Sequence, residues 1–422
     1  MPGEKTDNRY AYLIFAGCCC VSAGTLALAT NIAGVFLIPG AERLGVGTGD
    51  YSLWLAISGV VSALCSGFWG KHMPKHCRLC FTAGSLCLVA TMLTFAFATS
   101  IVHIALAGIL IGLAIPPLFM VGVPVVLGNW FAGSKRSRYL GIATAFTGMG
   151  TFAWAPLFTA IIQAYGVQVA YLVDAGLACL LTLPFSLFVV VFSPKERGLE
   201  PVGAQLVSQE RTSPAEQAGH ESVSADQAAK MPAFWLLVAA VTLSACGTGL
   251  MANQMGIAHE LFDTRFDVQT AITVGTSIIS ICAIGDFTGK LVFGPICNRI
   301  GVKWTITLYL GLVILALFVW ANCPIPALCI AVAFPFGFNN SVTSVGLPLV
   351  CREIFGSGDY SHIWGRLCIG LTLFGGASGS IFAYIYQFTG TYVPALALAA
   401  LCFVTVVVCT LVAKRLSSEN RR

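Results

Sequence analysis

Charge is what this chain has least of: 10% of its 422 residues are Asp, Glu, Lys or Arg, against roughly 25% in a soluble domain. With 57% hydrophobic residues and a mean hydropathy of +0.84, the composition excludes a soluble globular protein. Missing too are the alternating polar and apolar segments of a membrane barrel. The H-E-x-x-H, G-x-S-x-G, phosphate-loop and dinucleotide patterns are absent, so neither an enzyme nor a cofactor is expected. No basic patch interleaved with aromatics suggests nucleic acid. A cleavable leader is not expected either, because the first apolar run is long and ends at Pro39-Gly40 instead of a small-residue cleavage site. Cysteine is plentiful, but the 17 copies are scattered through apolar runs, which argues against a disulfide framework. Cys77 and Cys80 form a lone CxxC without the second pair or the histidines of a metal site.

What the chain does have is apolar runs of membrane-crossing length. Twelve fall roughly at 10–38, 51–70, 79–99, 103–128, 138–163, 168–192, 233–258, 268–293, 303–321, 325–351, 362–388 and 392–413. A polar stretch rich in Ser, Glu, Gln and Ala divides them six and six. The expected architecture is an all-α membrane protein of twelve transmembrane helices in two pseudo-symmetric six-helix bundles. These are residues 1–192 and 231–422, joined by a cytoplasmic linker over 193–230.

Lys and Arg gather on the cytoplasmic side of short loops. With the N-terminus inside, Lys71, Lys75, Arg78, Lys135, Arg136, Arg138, Arg211, Arg299, Lys303, Arg421 and Arg422 share one face, and Arg43 and Arg265 remain on the other. A multi-pass protein of the cell membrane with both termini cytoplasmic is therefore expected, its net charge of +5 facing anionic headgroups.

The halves repeat. A shift of 224 residues carries Gly70, Lys75, Gly122, Pro124, Phe131 and Gly141 onto Gly294, Arg299, Gly346, Pro348, Phe355 and Gly365. Six helices per half make the repeat parallel, the plan of carriers that rock one bundle against the other around a central substrate. Gly141, Ala145 and Gly148 in run 5 and Gly375 and Gly379 in run 11 let backbones approach closely, in gating or in static packing. Pro116-Pro117, Pro124, Pro335 and Pro348 are expected to bend runs 4 and 10.

Two charges sit where the membrane core should exclude them. Asp286 and Lys290 lie one helical turn apart inside run 8, and each costs about 2.5 to 3.5 kcal/mol near the bilayer centre on insertion scales. At i and i+4 they share a face. Ionised, they cancel; protonation of Asp286 frees Lys290 to hold a carboxylate, so that proton and anion cross together. The same pair can also simply brace run 8 against its neighbours. Asn339, Asn340 and Ser341 in run 10, Asn253 and Gln254 in run 7, and Asn31 in run 1 can offer hydrogen bonds to a bound anion or join helices to one another. Asp174 in run 6 is expected to hydrogen-bond a neighbour. Trp54, Trp154, Phe119, Phe152 and Phe338 can wall a cavity, although aromatics at helical spacing more often pack or face lipid.

Gly294-Pro295-Ile296-Cys297-Asn298-Arg299-Ile300-Gly301-Val302-Lys303 resembles the G-x-x-x-D-R-x-G-x-K signature of the major facilitator superfamily, with Asn for Asp. The stretch from Gly70 through Lys75 to Arg78 is a weaker copy. The resemblance implies gating loops at Gly70, Lys75 and Arg78 and at Gly294, Asn298, Arg299, Gly301 and Lys303. Within the superfamily, Asp286-Phe287-Thr288-Gly289-Lys290, Pro232-Ala233-Phe234-Trp235 and Asn129-Trp130-Phe131 are similar to the monocarboxylate-porter and oxalate:formate antiporter branch. Those relatives carry a second intramembrane cation. Here Thr30-Asn31-Ile32 and Gly370-Leu371-Thr372 hold none, which disfavours a dianion. The function expected is secondary transport of a small organic anion, a monocarboxylate, by proton-coupled symport or exchange for a counter-anion. Lys290, Asn339, Asn340, Asn253, Gln254 and Asn31 would bind substrate and Asp286 would couple the proton. A monomer in membrane lipid is expected. An exporter of amphipathic or cationic drug-like compounds and a solute sensor without transport stay open.

Overall fold

The structure, a computed structural model, describes residues 4–203, 224–262, 267–323, 325–356 and 360–419. Residues 204–223 of the linker lie outside these, as do Arg211, Arg265, Arg421 and Arg422. Among the described residues, ten helices are long and apolar enough to cross a membrane. Two are too long for one crossing. Thr48–Ala96 and Arg138–Val189 hold 49 and 52 residues, or about 75 Å each at 1.5 Å per residue, more than twice a core about 30 Å thick. The first breaks at His76 (φ −135°, ψ 45°) and the second at Gly166 (φ 83°, ψ 167°), a conformation open to glycine.

Divided there, the ten helices give the expected twelve crossings. They are α1 (Arg9–Asn31), α2 (48–75), α3 (77–96), α4 (Ile101–Trp130), α5 (138–165), α6 (167–189), α7 (Pro232–Phe262), α8 (Val268–Ile300), α9 (Val302–Asn322), α10 (Pro326–Phe355), α11 (Ile363–Thr389) and α12 (Val393–Ser417). Large apolar side chains such as Leu64, Phe188 and Phe388 stand exposed, as lipid-facing positions must.

The repeat is visible in the backbone. α4 widens into a π turn over Pro116–Met120, just before Gly122-x-Pro124, and α10 does so over Val342–Gly346, just before Pro348. Proline has no N–H to donate, and a widened turn absorbs the lost bond.

Contacts divide the chain into two compact units, Met1–Ala33 with Val60–Gly219 and Gly34–Gly59 with His220–Arg422. In the first unit α3 lies along α6, with Phe95 stacked on Tyr171 at 5.0 Å and Ser85 bonded to Ser186 at 2.9 Å. α1 packs on α5 where Gly150 meets Ala23 and Ala27. The chain leaving α6 is pinned beneath this unit. Val191 O accepts from Trp130 Nε1, Val190 O from Arg78 Nε, and Val202 pairs with Phe131.

In the second unit Phe234, Leu237 and Cys246 of α7, Tyr309 and Trp320 of α9 and Phe336 of α10 are buried in one apolar core. Glu260 at the end of α7 accepts from Thr391 Oγ1 and Tyr392 N, fixing the chain where α12 begins.

The segments expected to be gating loops are largely helical. α8 continues through Gly294, Pro295, Asn298 and Arg299 to Ile300, and the turn into α9 is made at Gly301 (φ 81°). Gly70 and Lys75 lie within α2, and Arg78 lies just past the break at His76. A proline inside a helix forfeits one backbone bond, and here that loss does not end the helix.

Candidate functional site

α8 positions the charged pair. Asp267 caps its start, its Oδ1 accepting from Thr270 N, and that bond holds the exposed carboxyl below the usual Asp range. Counting along the 33 residues of α8, Asp286 lies about 27 Å from Val268 and about 21 Å from Ile300, near the middle of the helix. Lys290 Nζ donates to Asp286 Oδ2 at 2.9 Å, with the two side chains 13% and 2% exposed. Asp286 Oδ1 is buried and has no hydrogen-bond partner. A buried carboxylate with half its acceptor capacity unused is costly in a low-dielectric interior.

The pair sits where α8 and α10 all but touch. A β-carbon placed on Gly285 would lie 1.9 Å from the Phe334 carbonyl oxygen, and one on Gly337 would lie 2.2 Å from Cys282 O and 2.5 Å from Asp286 N. Neither position has room for a side chain. Tyr309 of α9 donates to Gly289 O at 3.1 Å and stacks near Phe338, with centroids 4.7 Å apart. The backbone around Asp286 is thereby clamped on two sides.

α7 closes the third side. Asn340 Nδ2 of α10 reaches Met251 Sδ at 3.4 Å, and Asn339 lies against Gly247, where a β-carbon would come 2.0 Å from its Oδ1. Cys282, one turn before Asp286, lies beside the Gln254 amide. Gln254 Nε2, Asn339 Oδ1 and Ser341 Oγ are, like Asp286 Oδ1, buried without partners. Three packed helices thus bring Gln254, Asp286, Lys290, Asn339 and Asn340 together around unused hydrogen-bonding capacity, which buried polar groups rarely leave open.

Other candidates are placed differently. Asn253 is fully engaged: its Nδ2 donates to Gly249 O at 2.8 Å and Gly379 O at 3.0 Å, and its Oδ1 accepts from Tyr392 Oη at 3.2 Å. Its geometry is that of a clip joining α7, α11 and the start of α12. In the first unit, Asn31 Nδ2 donates to Thr151 Oγ1 at 3.0 Å and Trp154 Nε1 to Ala23 O at 3.1 Å, both joining α1 to α5. Phe338 packs on Tyr309 and Phe334. Asp174, expected to hydrogen-bond a neighbour, is buried with Oδ1 unpartnered. Gly294 meets open space, Asn298, Arg299 and Lys303 are exposed, and Lys303 Nζ stands 5.4 Å from the Trp304 ring centre. Among the described residues, no three His, Cys, Asp or Glu side chains gather into a metal site.

Sequence reasoning passed over the close α8–α10 crossing and the Tyr309 bond. The crossing had a signal: Gly285 and Gly289 are a small-x-x-x-small pair flanking Asp286.

Comparison with known proteins identifies the family. The chain is 25% identical to monocarboxylate transporter 13 of Bos taurus over 350 residues, covering 81% of the chain and 74% of the relative. It is 24% identical to monocarboxylate transporter 12 of Mus musculus over 393 residues, covering 85% and 76%. Human monocarboxylate transporter 12 matches at 30% over 176 residues, 40% of this chain and about a third of that protein (33%). A crystal structure of a point mutant of the nucleoside transporter NupG superposes with a TM-score of 0.72 over 96% of this chain and 99% of its own, at 11% identity, and so shares the fold. Residues 19–275 match the family model of the Major Facilitator Superfamily, more than half of the sequence. The chain therefore belongs to the Major Facilitator Superfamily, and within it resembles the monocarboxylate branch at low identity.

Proposed function

We propose that the protein is a secondary active transporter of a small organic anion, a monocarboxylate, working by alternating access with proton symport or anion exchange. The observation that carries this reading is the buried Asp286–Lys290 pair at mid-helix, with one carboxylate oxygen unused. Nearby lie Gln254 Nε2 and Asn339 Oδ1, both buried without partners. The names of the relatives support the same substrate class.

In this mechanism the ionised pair presents no net charge to an incoming anion. A proton on Asp286 releases Lys290 as a cation, the substrate carboxylate binds it, and the loaded site crosses with little added charge. Gln254, Asn339 and Asn340 orient the substrate from α7 and α10. Asn31 and Asn253 are weaker candidates, since each already has protein partners. The helix ends at Lys75, Arg78, Arg299 and Lys303 form the gating elements on the cytoplasmic face, where both termini also lie, in a monomeric protein of the cell membrane.

Purified protein in liposomes tests the reading with a panel of carboxylates, with and without an imposed pH gradient. Asp286→Asn should keep exchange in part and lose gradient-driven accumulation, and Lys290→Ala should weaken binding of every carboxylate. Gradient-driven uptake unchanged in Asp286→Asn would rule the coupling role out. Competition by lipophilic cations in place of short carboxylates would point to a drug exporter, and binding without flux to a sensor.

A further inference from the structure

Of the seventeen cysteines, Cys323 and Cys329 alone lie within one turn of the helix ends that face away from the Lys- and Arg-rich side. Arg299 and Lys303 flank the start of α9, so its turn into α10 lies at the opposite end, about 32 Å away along 21 residues. The other cysteines sit at mid-helix or toward the basic side.

Packing brings the two together. Trp320 Nε1, in the last turn of α9, donates to Cys329 O at 3.1 Å, and Cys329 Sγ donates to Cys323 O at 3.1 Å. Cys323 caps the end of α9 (φ −126°, ψ 103°), and Cys329 closes the first turn of α10, its N–H donating to Ile325 O at 3.0 Å. With Cα and O of one residue about 2.4 Å apart, the Cys329 sulfur lies within about 5.5 Å of Cys323 Cα. Both are thiols in this structure, Cys323 partly exposed and Cys329 buried. That is the arrangement of an entry thiol and the thiol that resolves it.

We propose that Cys323 and Cys329 are a modification site, oxidised to a disulfide that staples α9 to α10 on the extracytoplasmic side. The side follows from the topology in the transport reading, and thiols there meet an oxidising environment. The Cys323 thiolate attacks the disulfide of a carrier protein of the thiol-exchange class, forming a mixed disulfide and releasing one carrier thiol. Cys329 Sγ then attacks Cys323 Sγ, the Sγ–Sγ bond forms, and the second carrier thiol leaves. Two electrons and the two thiol protons end on the carrier, which departs as a dithiol. The bond holds the outer end of α10, whose later turns carry Asn339 and Asn340, in fixed register on α9. A single staple is no framework, because the other fifteen cysteines stay reduced.

Differential alkylation of protein from membranes prepared without reductant tests the site. N-ethylmaleimide in denaturant first blocks every free thiol; a reductant then opens disulfides, and iodoacetamide labels what it frees. Peptide mass spectrometry should find iodoacetamide exceeding N-ethylmaleimide by about tenfold or more at 323 and 329, with the reverse at the other cysteines. Before reduction, the peptide holding both should be lighter by two hydrogen atoms than its dithiol form. N-ethylmaleimide on both 323 and 329 would overturn the proposal, and so would the second label on one of them alone. Cys323→Ser should shift Cys329 to N-ethylmaleimide; a Cys329 still blocked in that variant has another partner and sinks the pairing. The unsubstituted protein carries the test if the variant fails to fold. Topology is read separately on intact cells treated with an impermeant phosphine, where an impermeant maleimide should reach Cys323 from outside. Outside labelling of Cys323 without any phosphine refutes the staple and leaves the topology. A disulfide that external reagents never reach refutes the topology and leaves the staple.

Discussion

The crossing of α8 and α10 beside the charged pair makes a quantitative demand on one residue. Gly337→Ala puts a methyl 2.2 Å from the Cys282 carbonyl oxygen and 2.5 Å from Asp286 N, both backbone atoms that cannot swing aside. Restoring a tolerable carbon–oxygen contact needs the helices to part by about 1 Å. Overpacking of this kind costs about 1 to 3 kcal/mol. Alanine in place of glycine within a helix returns up to about 1 kcal/mol, so the net loss of stability should be about 0 to 3 kcal/mol. Function should suffer far more, because a 1 Å misplacement of reacting groups can cost about 100-fold. Carboxylate uptake by Gly337→Ala in liposomes should therefore fall by about 10- to 100-fold while the protein still purifies as a folded species. Gly375→Ala is the control, since its β-carbon would meet only Ala245 Cβ at an ordinary 3.5 Å; it should transport within about twofold of the parent. Wild-type uptake by a folded Gly337→Ala protein would refute the claim that this crossing sets the geometry around Asp286.

Two further substitutions separate clips from contacts. Asn253→Ala leaves the buried Tyr392 hydroxyl without its acceptor, and at about 1 to 2 kcal/mol for such a loss thermal unfolding should show a lower Tm while KM for the transported anion holds; a large KM change at unaltered Tm would instead make Asn253 a substrate contact. Glu260→Ala removes the acceptor for Thr391 and for Tyr392 N at the start of α12, a capping loss of about 0.5 to 2 kcal/mol, and should speed hydrogen exchange over residues 392–396, with no local change counting against the capping role.

The apolar runs and the charged pair could be read from the sequence because both are local: a crossing is a matter of length, and i to i+4 fixes a shared face whatever surrounds it. Asn253 looked like Gln254 because adjacent amides carry the same chemistry. What separates them is that Gly379 and Tyr392, more than a hundred residues on, meet the first, while Gln254 Nε2 is left unpartnered. Gly294-Pro295 looked like the end of α8, yet the helix runs on six residues further to Ile300. Gly285 and Gly289 were legible by spacing alone, although only the approach of Phe334 and Phe338 shows what the spacing is for.

The matched π turns of α4 and α10 bear on the ancestry of the chain. Pro-Pro-Leu-Phe-Met and Val-Thr-Ser-Val-Gly share no residue at any of five places, although both stretches widen the helix by the same device, within two residues of equivalent positions. A distended coil forfeits regular bonding and survives mainly where it is useful. Gly122 and Pro124 in one half and Gly346 and Pro348 in the other are the letters the two helices still share, so the widened coil hangs on those two places while its remaining residues are free to differ.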